Sequence, residues 1–326
     1  MNWPLATLWG ISLKEEISDA FTAHTGISVY HHENVGLDFP KNLIEALQKK
    51  KRPPFDVIYG NVVPAAKLAQ AGLCSHLDEE ELPVLKELAP RAKPEAKGLS
   101  GWPFVNLYVV RYALMFRDSK FPGGAPESWS VLCEPRFSGK VSIYPGGKGF
   151  YPIAQIMGGG ALEDIPNAME ACWNFIRELK PNLGPKGYNK QMTEHIKRGD
   201  VDLFFTALTN IRQWKESGID VSWAVPREGT ADCEDSLIIP GHLPDNVLYW
   251  ARQYIAFALS RDIQKNFCHR LAACPMHLGI EPPEELKDSP AYPVLPDDLT
   301  NVLYVPDSVT VEHEEHWIGK FNDIIQ

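Results

Sequence analysis

The residues with the clearest chemical potential are Pro145-Gly146-Gly147-Lys148-Gly149. An apolar run, Lys140 to Tyr144, leads into them, and a helical pattern, Tyr151 to Met157, follows at once. A strand that ends in glycines ahead of a helix points bare backbone N–H groups and a helix N-terminus at one spot. That suits a carboxylate, a phosphate or another electron-rich group. The competing reading is a plain tight turn with Lys148 in water. Four other places offer polar or aromatic groups at the ends of apolar runs: Trp9 before Gly10, Tyr59-Gly60-Asn61, Thr206 to Thr209, and Asp235. Glu234 and Asp235 point to opposite faces if their segment is extended. Asn106 and Tyr108 lie within a long apolar stretch and either line a ligand site or serve only the chain path.

No nucleophile elbow of the Gly-x-Ser-x-Gly type and no Walker loop is present, so no catalytic residue is assigned. Two clusters resemble metal sites superficially. Cys268-His269 with Cys274 and His277 lacks paired Cys-x-x-Cys spacing. His313-Glu314-Glu315-His316 spaces its histidines three apart and reads as a solvated face. Neither supports a metal, and no cofactor is expected.

These groups need elements to carry them. Leu5 to Trp9 reads as a strand, Lys14 to His24 as a helix closed by Thr25-Gly26, and Ile27 to His31 as a second strand. Asn42 to Lys50 is helical, Phe55 to Tyr59 a strand, and Val63 to Ala71 a helix. This alternation implies a mainly parallel sheet with helices on both faces. Trp102 to Phe116 is apolar and aromatic throughout, too long for an ordinary strand, and reads as a crossover between sheets. A second alternation follows: strands at 140–144, 201–206 and 221–225, helices at 151–157, 165–179, 188–198 and 210–217. Ser236 to Pro240 is a further strand, 246–260 and 261–271 are helical, and Val311 to Ile325 is an amphipathic helix. The expected fold class is therefore α/β, with two doubly wound domains joined by hinge crossovers near Asn106 and Asp232. The first lobe takes 1–108 plus 234–285, the second 109–233 plus 286–326, with a ligand cleft between them.

The chain has 326 residues, 44% apolar and 23% charged, with a formal net charge of −10. That length fits one large or two moderate domains. The acidic balance argues against nucleic acid or an anionic membrane as partner. No apolar run is long enough to span a bilayer, and the opening residues are no signal peptide. The six cysteines are scattered and too few for a disulfide framework, though Cys268 and Cys274 are close enough in sequence to pair.

The order of motifs resembles the periplasmic solute-binding proteins of ABC importers, in the family 1 extracellular group that includes polyamine binders. Leu8-Trp9-Gly10 with Phe21, Thr25-Gly26-Ile27 and Val29 is similar to that family's opening. Phe55-Asp56-Val57-Ile58, Ser128-Trp129, Phe137-Ser138-Gly139-Lys140-Val141, Gly199 to Leu203, Val225 to Gly229 and Asp235 to Pro240 match its later motifs in order. The resemblance implies the type II periplasmic binding protein fold, no enzymatic activity, and a periplasmic monomer whose export signal is absent from this chain. It also implies ABC permease subunits as membrane partners. Polyamine binders grip ammonium groups with aromatic rings and acids, and Trp9 and Asp235 stand at matching positions. Cys233 stands where a second tryptophan is expected, Ala207 where another aromatic is expected, and Tyr144-Pro145 replaces an acidic pair. These departures favour a small carboxylate-bearing or zwitterionic solute, captured by closure of the two lobes. The expected ligand contacts are Trp9, Tyr59, Gly60, Asn61, Asn106, Tyr144, Gly146, Gly147, Lys148, Gly149, Thr206 and Asp235. The alternatives are a polyamine-type cation binder of the same family, and an enzyme built on the same scaffold.

Overall fold

The computed structural model describes residues 1–33, 41–94, 99–293 and 295–326. The helices, in chain order, are α1 (Leu8–Ser12), α2 (Ala20–Thr25), α3 (Lys41–Gln48), α4 (Val62–Gln70), α5 (Tyr151–Met157), α6 (Glu170–Leu179), α7 (Asn189–Arg198), α8 (Leu208–Glu216), α9 (Asp245–Ala258), α10 (Arg261–Leu271) and α11 (Asp307–Ile325). The strands are β1 (Ile58–Asn61), β2 (Val105–Phe116), β3 (Val141–Ser142), β4 (Leu203–Ala207), β5 (Ser222–Ala224), β6 (Asp232–Ile238) and β7 (Cys274–Pro275).

The start of the chain departs from the sequence expectation. Leu5 to Trp9 forms no strand. Thr7 caps α1 instead, its hydroxyl donating to the Pro4 carbonyl at 2.6 Å and accepting from the Gly10 N–H at 3.2 Å. A capping hydroxyl outweighs a short apolar run, because it satisfies donors that a helix start leaves bare. Gly10 is required by close approach: a Cβ there would lie 2.3 Å from the carbonyl oxygens of Trp3 and Pro4. Between α1 and α2 the helix continues as a π-helix, Leu13–Asp19, and α2 ends at Gly26 with φ 77°. In that π-helix Glu15 and Glu16 both reach Arg270 of α10, each at 2.8 Å. Ile27 to His31 makes no ladder either; a single parallel bridge joins Asn2 to Glu33.

The chain divides into two compact units. One comprises Met1–Val109, Glu234–Lys287 and Val294–Asp298; the other comprises Val110–Cys233, Asp288–Pro293 and Leu299–Gln326. β2 and β6 therefore each begin in one unit and end in the other. All but one residue of β2 is buried, which is why its sequence shows no alternation.

In the first unit β1 pairs antiparallel with β6, and β7 with β2. Phe21 packs edge-on against Tyr254 and Phe257 of α9, and Tyr59 and Tyr108 meet Phe267 of α10. In the second unit β2 pairs antiparallel with β4 and β5, while β3 and β4 are parallel. The expectation of a mainly parallel sheet thus gives way to mixed pairing. A strand that arrives from another unit is not bound by the direction that local strand–helix–strand steps impose. The core of this unit gathers Trp129, Phe137, Phe150, Trp173, Phe175 and Phe205, closed by Trp317 and Phe321 of α11.

Candidate functional site

In the first unit the charged centre is Asp235. β6 sets it directly opposite Asn61 of β1, so Tyr59, Asn61 and Asp235 share a face of the sheet. Tyr108 of β2 donates its hydroxyl to Asp235 Oδ2 at 2.5 Å, and Trp3 Nε1 donates to the same oxygen at 3.1 Å. Because the Tyr108 proton is committed there, the hydrogen bond between the Tyr59 and Tyr108 hydroxyls has Tyr59 as donor. Trp9 stacks on Tyr108 with ring centroids 5.8 Å apart. Tyr59 lies edge-on to Trp3 and Tyr108.

Asp235 is only 8% exposed. Burial pushes its carboxyl up to about 6, and the bonds from Tyr108 and Trp3 offset part of that rise. The Tyr108 hydroxyl is pushed well above the ordinary tyrosine value, by burial first and by Asp235 second. Both donors fall on Oδ2, and among the described residues none reaches Oδ1. A carboxylate set among rings, with one oxygen uncommitted, is fitted to an ammonium that brings both N–H donors and the missing counter-charge.

The other expected contacts of this unit have structural work. Asn61 caps α4, its Oδ1 accepting from the Val63 N–H at 3.2 Å. Gly60 sits in the ladder opposite Ser236. Asn106 donates to the Arg91 carbonyl at 3.0 Å and accepts from Ser236 at 2.8 Å. Glu234, one residue from Asp235, is spent on a buried ion pair with Arg91.

The second unit gathers a different chemistry. The Tyr144 and Thr206 hydroxyls meet at 2.7 Å, and Asn210 Nδ2 reaches Thr206 at 3.0 Å and Tyr144 at 3.4 Å. β4 ends and α8 begins between Thr206 and Asn210, so one tight strand-to-helix passage aligns them. Tyr188 stacks on Tyr144 at 6.1 Å, and Tyr112 packs edge-on at 6.0 Å. Tyr112 donates to Cys233 Sγ at 3.1 Å. Burial pushes the Tyr144 hydroxyl pKa upward; bonds from Thr206, the Ala207 backbone and Asn210 pull it back, and nearby Cys233 adds to the rise. No carboxylate contributes to that balance.

The glycine turn has a packing reason of its own. Gly146 and Gly147 are buried in the left-handed region, both with φ 72°. A Cβ on Gly146 would lie 3.0 Å from Ile318, and one on Gly147 would lie 2.8 Å from the Phe321 ring, so the turn fits under α11. The Gly147 N–H is used by the Tyr144 carbonyl, and the Gly146 carbonyl accepts from Tyr151. Gly149 has φ 76°, and a Cβ on it would lie 3.2 Å from the Tyr112 ring. Lys148 is neither solvated nor unopposed: its ammonium lies 3.7 Å from Glu314, and both side chains are largely buried.

The structure thus brings together Trp9, Tyr59 and Asp235 in one unit, and Tyr144 and Thr206 in the other. Sequence reasoning missed Trp3, Tyr112, Tyr188 and Asn210. Asn210 had a readable signal, since it lies four residues past Thr206 at the start of a helix. Trp3 had none once the opening was read as a strand. The six cysteines form no disulfide, including Cys268 and Cys274. Among the described residues no cluster of metal ligands occurs, and no helix is long and apolar enough to cross a membrane.

A spermidine/putrescine-binding periplasmic protein of Haemophilus influenzae is 24% identical over 98% of this chain and 84% of its own length. A gamma-aminobutyric acid-binding protein of Pseudomonas aeruginosa is 26% identical over 67% of this chain and 62% of its own. The solved Atu4243–GABA receptor superposes with a TM-score of 0.77 at 17% identity, covering 97% of this chain and 94% of that one. The bacterial extracellular solute-binding family matches residues 16–294. The chain therefore belongs to the bacterial extracellular solute-binding proteins, the substrate-binding components of ABC importers, and its work is capture rather than catalysis.

Proposed function

We propose that this protein takes up a small polar solute bearing a carboxylate, with a zwitterion as the best fit, in the periplasm and passes it unchanged to permease subunits. The observation that carries the reading is the contrast between the two clusters. Trp9, Tyr59, Tyr108 and Asp235 offer rings and a negative charge, while Tyr144, Thr206 and Asn210 offer neutral hydrogen-bond donors and no acid. A diamine needs an acid for each ammonium; a zwitterion needs only one. In this reading the anionic contact moves from the glycine turn, which α11 covers, to the neighbouring Tyr144. The relative named for gamma-aminobutyric acid supports the zwitterion, and the relative named for spermidine and putrescine supports the cationic alternative.

A thermal-shift panel of amino acids, 4-aminobutyrate, organic acids, polyamines and sugars tests this. A ligand at about 100 times its Kd stabilises the folded state by about 2.7 kcal/mol, which is readily seen. Stabilisation by carboxylate-bearing solutes is the expected result. Stabilisation by polyamines alone, or by nothing at millimolar concentration, would overturn the reading.

A further inference from the structure

Resting on that function, the geometry points to Tyr144 as the residue that selects the solute's carboxylate, by presenting one hydroxyl proton and no lone pair. The hydroxyl protons of the cluster can be counted. Tyr144, Thr206 and Asn210 form a cluster in which one hydroxyl proton is spent between Tyr144 and Thr206. Among the described residues neither hydroxyl has another acceptor, so one proton is left over. Thr206 is wholly buried and Tyr144 half-buried. An unpaired donor costs most where water cannot reach it. Thr206 therefore donates to Tyr144, and Tyr144 turns its own proton out of the cluster. The Ala207 N–H and Asn210 also direct donors at the phenol oxygen, so its acceptor capacity is filled. An ammonium would find nothing there to donate to.

Two further features set the charge of the guest. The nine-residue α8 starts beside Thr206, with no acid in its own first turn and no side-chain cap, so nothing in the helix itself offsets its positive end. Lys148 is opposed by Glu314 rather than left for a ligand. One hydroxyl and one helix end suit a singly charged carboxylate; a phosphate dianion calls for a cationic partner that this cluster lacks.

Titration calorimetry on the full chain with 4-aminobutyrate and with putrescine tests this assignment, since the two differ by a carboxylate against an ammonium. The wild type is expected to bind 4-aminobutyrate at least tenfold more tightly. Tyr144→Phe should weaken 4-aminobutyrate roughly 10- to 100-fold, as for loss of a hydrogen bond to a charged group, and change putrescine less than threefold. Equal losses for both ligands, or no loss, would overturn the assignment and leave the function standing. A wild type that prefers putrescine would also overturn it, and binding of neither would remove the function with it. If the variant does not fold, the half-buried Cys233 beside Tyr112 and Tyr144 gives a wild-type readout. Peptide-resolved alkylation of Cys233 by N-ethylmaleimide should slow at least fivefold with 4-aminobutyrate bound, and an unchanged rate overturns the assignment.

Discussion

Asp235 holds a charge that burial opposes, and its protonation should be visible from outside. Its value rises from 3.8 to about 6 on folding. A carboxyl raised in this way contributes stability below its unfolded value and loses it as pH climbs through the folded one. Acidification from pH 7 to pH 5 should therefore stabilise the solute-free protein through this group. The full effect is about 3 kcal/mol at most, from a shift of about two units at 1.36 kcal/mol each. Asp235→Asn should flatten the pH dependence of Tm between pH 4 and 7; an unaltered profile would show that Asp235 does not titrate there. An ammonium placed against Asp235 would favour its ionised form and lower its value. Binding of an ammonium-bearing solute near pH 6 should thus release protons, seen as a heat that changes with the ionisation enthalpy of the buffer. Identical heats in phosphate and imidazole would exclude the contact.

At the scale of elements, the helix start and the glycine turn show where local chemistry decides. Thr7→Ala should cost about 1 kcal/mol through loss of the cap, read by chemical denaturation. Gly147→Ala combines a left-handed backbone with a 2.8 Å approach to Phe321. It should cost about 2 kcal/mol or more, and a neutral result would mean that α11 can lift from the turn. The same two places explain what the sequence let one read. α5 and α10 are plain in the pattern, because helical spacing is set by burial, and the long apolar run of β2 reads as a crossover that proves to be a single twelve-residue strand. The opening is not, because one threonine hydroxyl turns an apolar run into a helix. Asp235 and Tyr144 were legible as polar groups at strand ends. Their partners Trp3 and Tyr112 were not, since each arrives from an element distant in sequence. The glycines of the turn looked like a cradle because a glycine that accommodates a ligand and one that accommodates a phenylalanine are the same letter.

For the whole molecule, neither unit is a continuous stretch of chain. The second takes its strands and most of its core from 110–233 and closes that core with Trp317 and Phe321 from α11. A chain stopped after Pro306 should leave that core open, losing near-UV dichroism and becoming sensitive to protease within 110–233. Retention of both signals would show that α11 is dispensable.

The seven-residue wide turn between α1 and α2 has a consequence for how the chain tolerates insertions and deletions. An α-helix rotates 100° per residue, and a wider coil rotates less. That slower winding lets neighbouring Glu15 and Glu16 share one guanidinium while Trp9 upstream and Phe21 downstream both keep their inward bearing. Excising a single codon at Glu16 would let ordinary coiling resume with both rings still on their bearings, so the loss of one residue here should be tolerated where the same loss further along the helix would turn the indole away from its tyrosine.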